Sequence, residues 1–267
     1  MVTWTVKRAV EEIKLVQQSK GDFIIVISGF RGVGKSTLQT RFIQEIIGES
    51  ALTEEGFKKY FIYSRKEFDK KLEEFEEKSP ICVDEGINLL FKREFQNRDQ
   101  NILIKKFNTY RDKYFVIFIL LPFFWDLDSS VRNSSIIKWW IHCNKFGEGY
   151  IFQIEDNPFT DDPWNRKNNF FAWREKKVPV YSLPNYVANI VWEELPEDTY
   201  NIYKKVKAEK RRDAYAEADN KKIISKTDMI KQILINNKEV NVGLLSSMLD
   251  VSDVYIYKLK KELSKSN

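Results

Sequence analysis

With 267 residues, 43% of them hydrophobic, the chain has material for one sizeable core plus an appendage, and its formal net charge of +5 is too mild to show a polyanion partner by itself. Two cysteines, Cys82 and Cys143, and a single histidine, His142, exclude a disulfide framework and a histidine-rich zinc site. The longest apolar run, 115–125, is too short to cross a bilayer and contains Pro122; with no signal-peptide pattern at the start, the expectation is a soluble, cytoplasmic protein without membrane insertion.

In chain order, Val6, Val10, Ile13 and Val16 predict a helix over 5–18 that lies against a sheet. The run 23–28 predicts a buried strand, and 36–47 the helix after it. A short strand over 60–63 precedes a charged helix across 66–78. Residues 81–83 read as a third strand ending in Asp84-Glu85, and a long basic and apolar helix is expected over 91–110. The fourth strand spans 115–121 and the fifth 136–143, with 150–155 as its hairpin partner around Gly147-Glu148-Gly149. Both cysteines then read as small core residues, His142 as a strand residue, and Trp125 with its aromatic neighbours as core. Pro158, Pro163, Pro179 and Pro184 mark 156–186 as an irregular excursion with one short hairpin near 170–181. Strands alternating with helices predict an α/β domain over 1–186, its mostly parallel sheet covered on both faces. Residues 187–222 read as a helical linker, basic around 204–212.

Between the first buried strand and its helix stands Gly29-Phe30-Arg31-Gly32-Val33-Gly34-Lys35-Ser36, which fits the phosphate-binding P-loop pattern G-x-x-x-x-G-K-[ST]. The glycines permit a tight turn whose successive N–H groups point at phosphate oxygens, and the helix start adds its positive end. Gly29, Arg31, Gly32, Val33, Gly34, Lys35, Ser36 and Thr37 are the expected nucleotide contacts. Lys35 would reach the β- and γ-phosphates, and the Ser36 hydroxyl would ligate Mg²⁺. The partner motif is Ile81-Cys82-Val83-Asp84-Glu85, a buried strand that delivers carboxylates at its end. Asp84 would hold Mg²⁺ through its water shell, and Glu85 would act as general base toward the attacking water, so the pair predicts hydrolysis and not binding alone.

Phe107-Asn108-Thr109-Tyr110-Arg111 leads into the strand at 114–121; Pro122-Phe123-Phe124-Trp125-Asp126-Leu127-Asp128 follows, then Val131-Arg132 and the strand at 136–143. In this order of parts the chain resembles the FtsK–HerA class of DNA-pumping ATPases, which includes the conjugative coupling proteins and Zot-like phage proteins. The resemblance spans residues 20–155, with the P-loop and Asp84-Glu85 as its specific motifs. It implies a RecA-like, ASCE-type P-loop NTPase fold and ATP as the nucleotide, with no guanine-reading Asn/Thr-Lys-x-Asp motif evident. It also implies Arg111 as an arginine finger reaching the γ-phosphate held by a neighbour in a homo-oligomeric ring, a hexamer being one candidate form. Arg93 and Arg98 are substitutes, and the plainer alternative is a surface arginine capping its helix. The class has Thr-Gln where this chain has Leu121-Pro122. Either Asp126 or Asn133 replaces that polar sensor, or hydrolysis is slow.

Residues 223–267 carry a second signal. Thr227-Asp228 caps a helix to about 236, 242–249 makes a short second helix, Asp250-Val251 a turn, and Ser252 caps a third helix ending near 264. Leu245, Met248, Val251, Ile256, Leu259 and Leu263 form the expected apolar set. The arrangement resembles a helix-turn-helix module. Ser252, Val254, Tyr257, Lys258 and Lys261 are its expected DNA-binding residues, with Asp253 unhelpful at the groove end. Residues 221–267 hold nine lysines against five carboxylates, a footprint suited to phosphate contact. The leading expectation is therefore an ATPase motor that translocates, packages or segregates double-stranded DNA of a plasmid or virus. Two alternatives stay open: an ATP-dependent switch on a DNA-bound assembly, and a signalling NTPase whose C-terminal bundle binds protein.

Overall fold

The structure, a computed structural model, describes residues 2–84, 105–107, 109–127, 129–133, 136–155, 157, 159–220, 226–236, 240–249 and 251–265. The chain divides into two compact units, Met1–Ala214 and Tyr215–Asn267.

Among the described residues of the first unit, eight strands form one sheet: β1 (Thr3–Thr5), β2 (Phe23–Ser28), β3 (Phe61–Ile62), β4 (Pro80–Val83), β5 (Val116–Leu121), β6 (Ile137–Lys145), β7 (Glu148–Gln153) and β8 (Tyr186–Val191). Their spatial order is β1-β8-β7-β6-β2-β5-β4-β3. Only β7 runs against the others, paired antiparallel with β6 and β8. Counted from the P-loop strand β2, the parallel core has the order 5-1-4-3-2. The strand β5 thus stands between the P-loop strand and the Asp84 strand, as the ASCE-type arrangement requires. Every residue of β2, β4 and β5 is buried, the near-continuous apolar pattern of strands covered on both faces.

The longer helices among the described residues of this unit are α1 (Val6–Gln18), α2 (Lys35–Ile47), α3 (Glu54–Tyr60), α4 (Arg65–Glu74), α5 (Arg166–Arg174) and α6 (Glu197–Asn220), the last running on into the second unit. Thr5, Thr53 and Ser64 each accept a backbone N–H at the start of α1, α3 and α4, which satisfies one orphan donor per helix. Val6, Ala9, Val10 and Ile13 turn one face of α1 into the core, as the spacing predicted. At the centre, Phe42 of α2 meets Phe118 of β5 with ring centroids 5.0 Å apart.

Two expectations are corrected. Residues 170–181 form no hairpin: 166–174 are helical and Val180–Ser182 make a short 3₁₀ turn. Phe170, Phe171 and Trp173 suit a strand, but 165–177 contains no β-branched residue to reinforce them. Nor do residues 187–191 belong to a linker; they lie in β8, between β7 and β1. The long helix expected over 91–110 lies largely outside the described residues, which show helix at 105–107.

The second unit contains α7 (Lys226–Asn236), α8 (Val242–Leu249) and α9 (Asp253–Lys265). Ile230, Leu234, Val242, Leu245, Ile256 and Leu259 form its core, with Val251 and Leu263 packed against it. Ser252 Oγ accepts the Tyr255 N–H at the start of α9, and the Thr227 hydroxyl bonds the Tyr255 hydroxyl at 2.8 Å. Met248, expected in the apolar set, is 74% exposed, because its position on α8 faces away from α7 and α9 partners such as Ile230 and Ile256.

Candidate nucleotide site

The loop 29–34 leaves the C-terminal end of β2 and enters α2 at Lys35. Gly29 has φ 146°, and a Cβ there would lie 2.5 Å from the Cys143 carbonyl oxygen. Gly34 has φ 82° and caps α2 without a side-chain hydrogen bond. No acidic residue sits in the first turn of α2, so the positive end of the helix is left to a ligand. A Cβ on Gly34 would come within 3.0 Å of the Phe146 ring and 3.2 Å of Trp192 Nε1. Only glycine satisfies both the backbone angle and this crowding.

Lys35 is folded back on its own loop, its Nζ donating to the carbonyls of Gly29 (2.6 Å) and Phe30 (2.7 Å). Burial holds its ammonium below the ordinary lysine range, against the opposing pull of Cys143 and Asp84. An incoming phosphate would supply the counter-charge that this lysine lacks. Arg31 is exposed on the loop, as is Gly32, whereas Val33 and Ser36 are half-buried and Thr37 is buried.

Asp84 ends β4 beside the loop and is 3% exposed. Its Oδ2 accepts from Tyr203 Oη (2.6 Å), Lys207 Nζ (2.6 Å) and Tyr63 Oη (3.1 Å). Lys207 also donates to the Tyr203 oxygen at 2.9 Å. Burial first, and then the Asp84 charge, push the Tyr203 and Tyr63 phenols well above their ordinary range, so both act as neutral donors. Ser36, the other expected metal ligand, opposes part of that rise in Tyr203. Glu85 lies outside the described residues, as do Arg93 and Arg98.

Leu121-Pro122, where the resemblance expects Thr-Gln, sits directly beside the loop. The Pro122 carbonyl accepts the Gly29 N–H at 3.3 Å, so this position supports the P-loop through its backbone. Asn133 Nδ2 reaches the Asp161 carbonyl at 3.4 Å; Asp126 lies in a 3₁₀ turn, Phe124–Asp126. Phe124 is fully buried, while Trp125 is half-buried between Arg132 and Arg166, 5.1 and 4.6 Å from its ring. His142 lies across from Ser28 in the sheet and bonds its hydroxyl at 3.3 Å. Burial and then the Lys35 charge lower its pKa, so the ring faces the site in its neutral form.

Arg111 occupies a 3₁₀ turn, Tyr110–Lys113, ahead of β5. Its charge is felt by Asp22, just before β2. Both residues therefore lie at the N-terminal edge of the parallel strands, about 20 Å of strand length from the P-loop at the other edge. The structure does not bring Arg111 to Lys35 or Asp84 of its own chain.

Phe146, Trp192, Tyr203 and Lys207 are the site residues that sequence reasoning missed. Arg41 of α2 anchors the segment after β8 through the Glu193 and Glu194 carbonyls, and the Trp192 N–H donates to the Gly147 carbonyl. These bonds place the Trp192 indole over Gly34, where its buried Nε1 has no hydrogen-bond partner among the described residues. Trp192 also lines a cavity of about 320 Å³ along α2, with Thr5, Val6, Arg41 and Gln44. A signal for the α6 residues was available: Tyr203, Val206, Lys207 and Lys210 fall at i, i+3, i+4 and i+7, one face of a helix with two lysines on it.

In α9, Ser252 at its start and Val254, Tyr257, Lys258 and Lys261 along it are all exposed.

No protein-family model matches the chain, and no curated protein matches it either. Among solved structures, it is similar to the genome packaging NTPase B204 from Sulfolobus turreted icosahedral virus 2 in complex with ATP-gammaS. That alignment is 13% identical and covers 49% of this chain and 92% of that one, with a TM-score of 0.36. It is also similar to the N-terminal domain of zonular occludens toxin from Neisseria meningitidis, at 15% identity over 68% of this chain and 99% of that one, with a TM-score of 0.37. No helix among the described residues is long and apolar enough to cross a membrane.

Proposed function

We propose that this chain is a Mg²⁺-dependent ATPase that acts on double-stranded DNA as a ring-forming motor. The observation that carries the reading is the juxtaposition of the P-loop, with Lys35 and an uncapped α2, and the buried Asp84 at the end of the parallel strand β4, one strand beyond β5. Asp84 bears a cationic partner, Lys207, at 2.6 Å, and its buried carboxylate and the Ser36 hydroxyl are oxygen donors of the type Mg²⁺ takes. When bound, Mg²⁺ would neutralise charge on the β- and γ-phosphate oxygens. Lys35 would leave the Gly29 and Phe30 carbonyls for the phosphates, the first-turn N–H groups of α2 would cradle them, and Glu85 would take the proton of the attacking water. The unpartnered Trp192 Nε1 offers one further donor beside the loop.

A position at the opposite edge of the sheet suits Arg111 to the active site of a neighbouring subunit and not to its own. The charge and exposed face of α9 suit contact with DNA phosphates. The deciding experiment is steady-state ATP hydrolysis alone, with duplex DNA and with single-stranded DNA, using Glu85→Gln as blank. Stimulation by duplex DNA is expected. Slow hydrolysis indifferent to DNA would favour the switch or the signalling NTPase, a reading that the absent polar side chain at Pro122 keeps in view.

A further inference from the structure

The nucleotide reading leaves one feature without a role. Helix α6 follows the sheet, yet its Tyr203 and Lys207 reach the carboxylate at the end of β4, 119 and 123 residues earlier in the chain. Asp84 is 3% exposed, and the Lys207 side chain is 18% exposed. A carboxylate so buried needs a positive partner to remain charged. Lys207 provides it, and Tyr203 donates to the same carboxylate oxygen. The Lys207 charge is also felt at Lys35. An ammonium therefore occupies the surroundings that the proposed reaction reserves for a divalent cation.

The docking of α6 is not incidental to this contact. Tyr203 packs on Phe57 and Phe61, with ring centroids 5.7 and 5.9 Å apart. Lys205 pairs with Glu54 at 2.7 Å, and Glu209 with Lys58 at 3.2 Å. Lys210 pairs with Glu67 and donates to the Lys58 and Phe61 carbonyls. These contacts hold the helix against α3 and β3, so Lys207 is presented on a fixed element and does not reach Asp84 by chance of a long side chain.

From this geometry we infer that Tyr203 and Lys207 belong to the nucleotide site, Lys207 being a resident counter-ion of Asp84 that a divalent cation arriving with a nucleoside di- or triphosphate displaces. Mg²⁺ and the Lys207 ammonium compete for one carboxylate. The ammonium holds the Asp84 carboxylate paired and aligned, and it gives up that carboxylate when the cation arrives. The inference rests on the nucleotide reading above, and its test separates the two.

Fluorescent N-methylanthraniloyl-ADP is titrated into the full chain and its Lys207→Met and Lys207→Arg variants, with Mg²⁺ and with EDTA. Removing the competing charge should strengthen Mg²⁺-dependent binding of Lys207→Met about tenfold or more, with binding in EDTA little altered. Lys207→Arg, which keeps the charge, should resemble the wild type. Unchanged or weaker Mg²⁺-dependent binding by a folded Lys207→Met chain would overturn the inference. Should Lys207→Met not fold, amide exchange of wild-type residues 199–212 takes its place. Faster exchange with Mg²⁺ and ADP than with ADP and EDTA is expected, and equal protection in both overturns the inference. Binding of labelled ADP that ignores Mg²⁺ in every chain would overturn it while leaving a nucleotide site standing. No binding to any chain would remove the nucleotide reading and the counter-ion with it.

Discussion

At the scale of single residues, the candidate site is already organised by charge. Lys35 is held by two carbonyls and Asp84 by one lysine and two tyrosines. Neither charge is solvated in the ordinary way, and each is poised to exchange a partner for a ligand. Lys35→Ala should leave the fold intact, because Lys35 is half-buried and bonded only to its own loop. Nucleotide affinity should fall at least about tenfold, the value of a charge-assisted hydrogen bond to phosphate. Calorimetric titration with ADP and Mg²⁺ reads this directly, and wild-type affinity in the variant would remove Lys35 from the site. The thiols are inert by contrast. Cys143 is buried and its pKa is pushed up to about 12 by that burial, so alkylation at pH 8 should be negligible until the chain unfolds.

At the scale of elements, the central strands and the docking of α6 carry different kinds of stability. Phe118 on β5 is fully buried against Phe42. Phe118→Ala should cost about 3–5 kcal/mol in urea unfolding, through lost burial and the cavity left behind. The α6 contacts combine the aromatic packing of Tyr203 with ion pairs, and the ion pairs depend on pH. Glu54 is held at about 2 by hydrogen bonds from Lys205 and Lys58, below its ordinary 4.5. Its folded pKa lies below its unfolded one, so its contribution is complete above pH 4.5 and is lost as the pH falls toward 2. The urea midpoint of wild type should exceed that of Glu54→Gln at pH 6, and the gap should narrow to a small fraction of that by pH 2.5. A gap of equal size at both pH values would show that the Glu54 charge does not secure α6.

Over the whole molecule, the two units divide the chemistry. The first holds the P-loop and Asp84, the second the basic three-helix module, and α6 is the covalent segment shared between them. Lys258→Ala with Lys261→Ala should weaken duplex binding and lower the slope of log K against log salt by about 2, the count of phosphate contacts removed. An unaltered slope would direct attention from α9 to another surface. Light scattering with ATP and duplex DNA present tests the ring, and a strict monomer would end it together with the role proposed for Arg111.

Much of this was legible in the sequence because it is local. Eight contiguous residues specify the P-loop, the run 23–28 reads as a buried strand without reference to anything else, and the periodicity of α1 shows which face meets the core. Where local signals were weak, the reading slipped. The aromatic residues Phe170, Phe171 and Trp173 suggested a strand yet lie in the helix 166–174, and 187–191 joined the sheet in β8, between β7 and β1. Tertiary structure alone decided the site's remaining members. Trp192 meets Gly34 and Lys207 meets Asp84 only because strand order and helix docking bring distant segments to one edge of the sheet. A sequence states which residues share a face; which faces meet is settled by burying all of them at once, and that long-range packing placed a lysine on the carboxylate where a metal ion was expected.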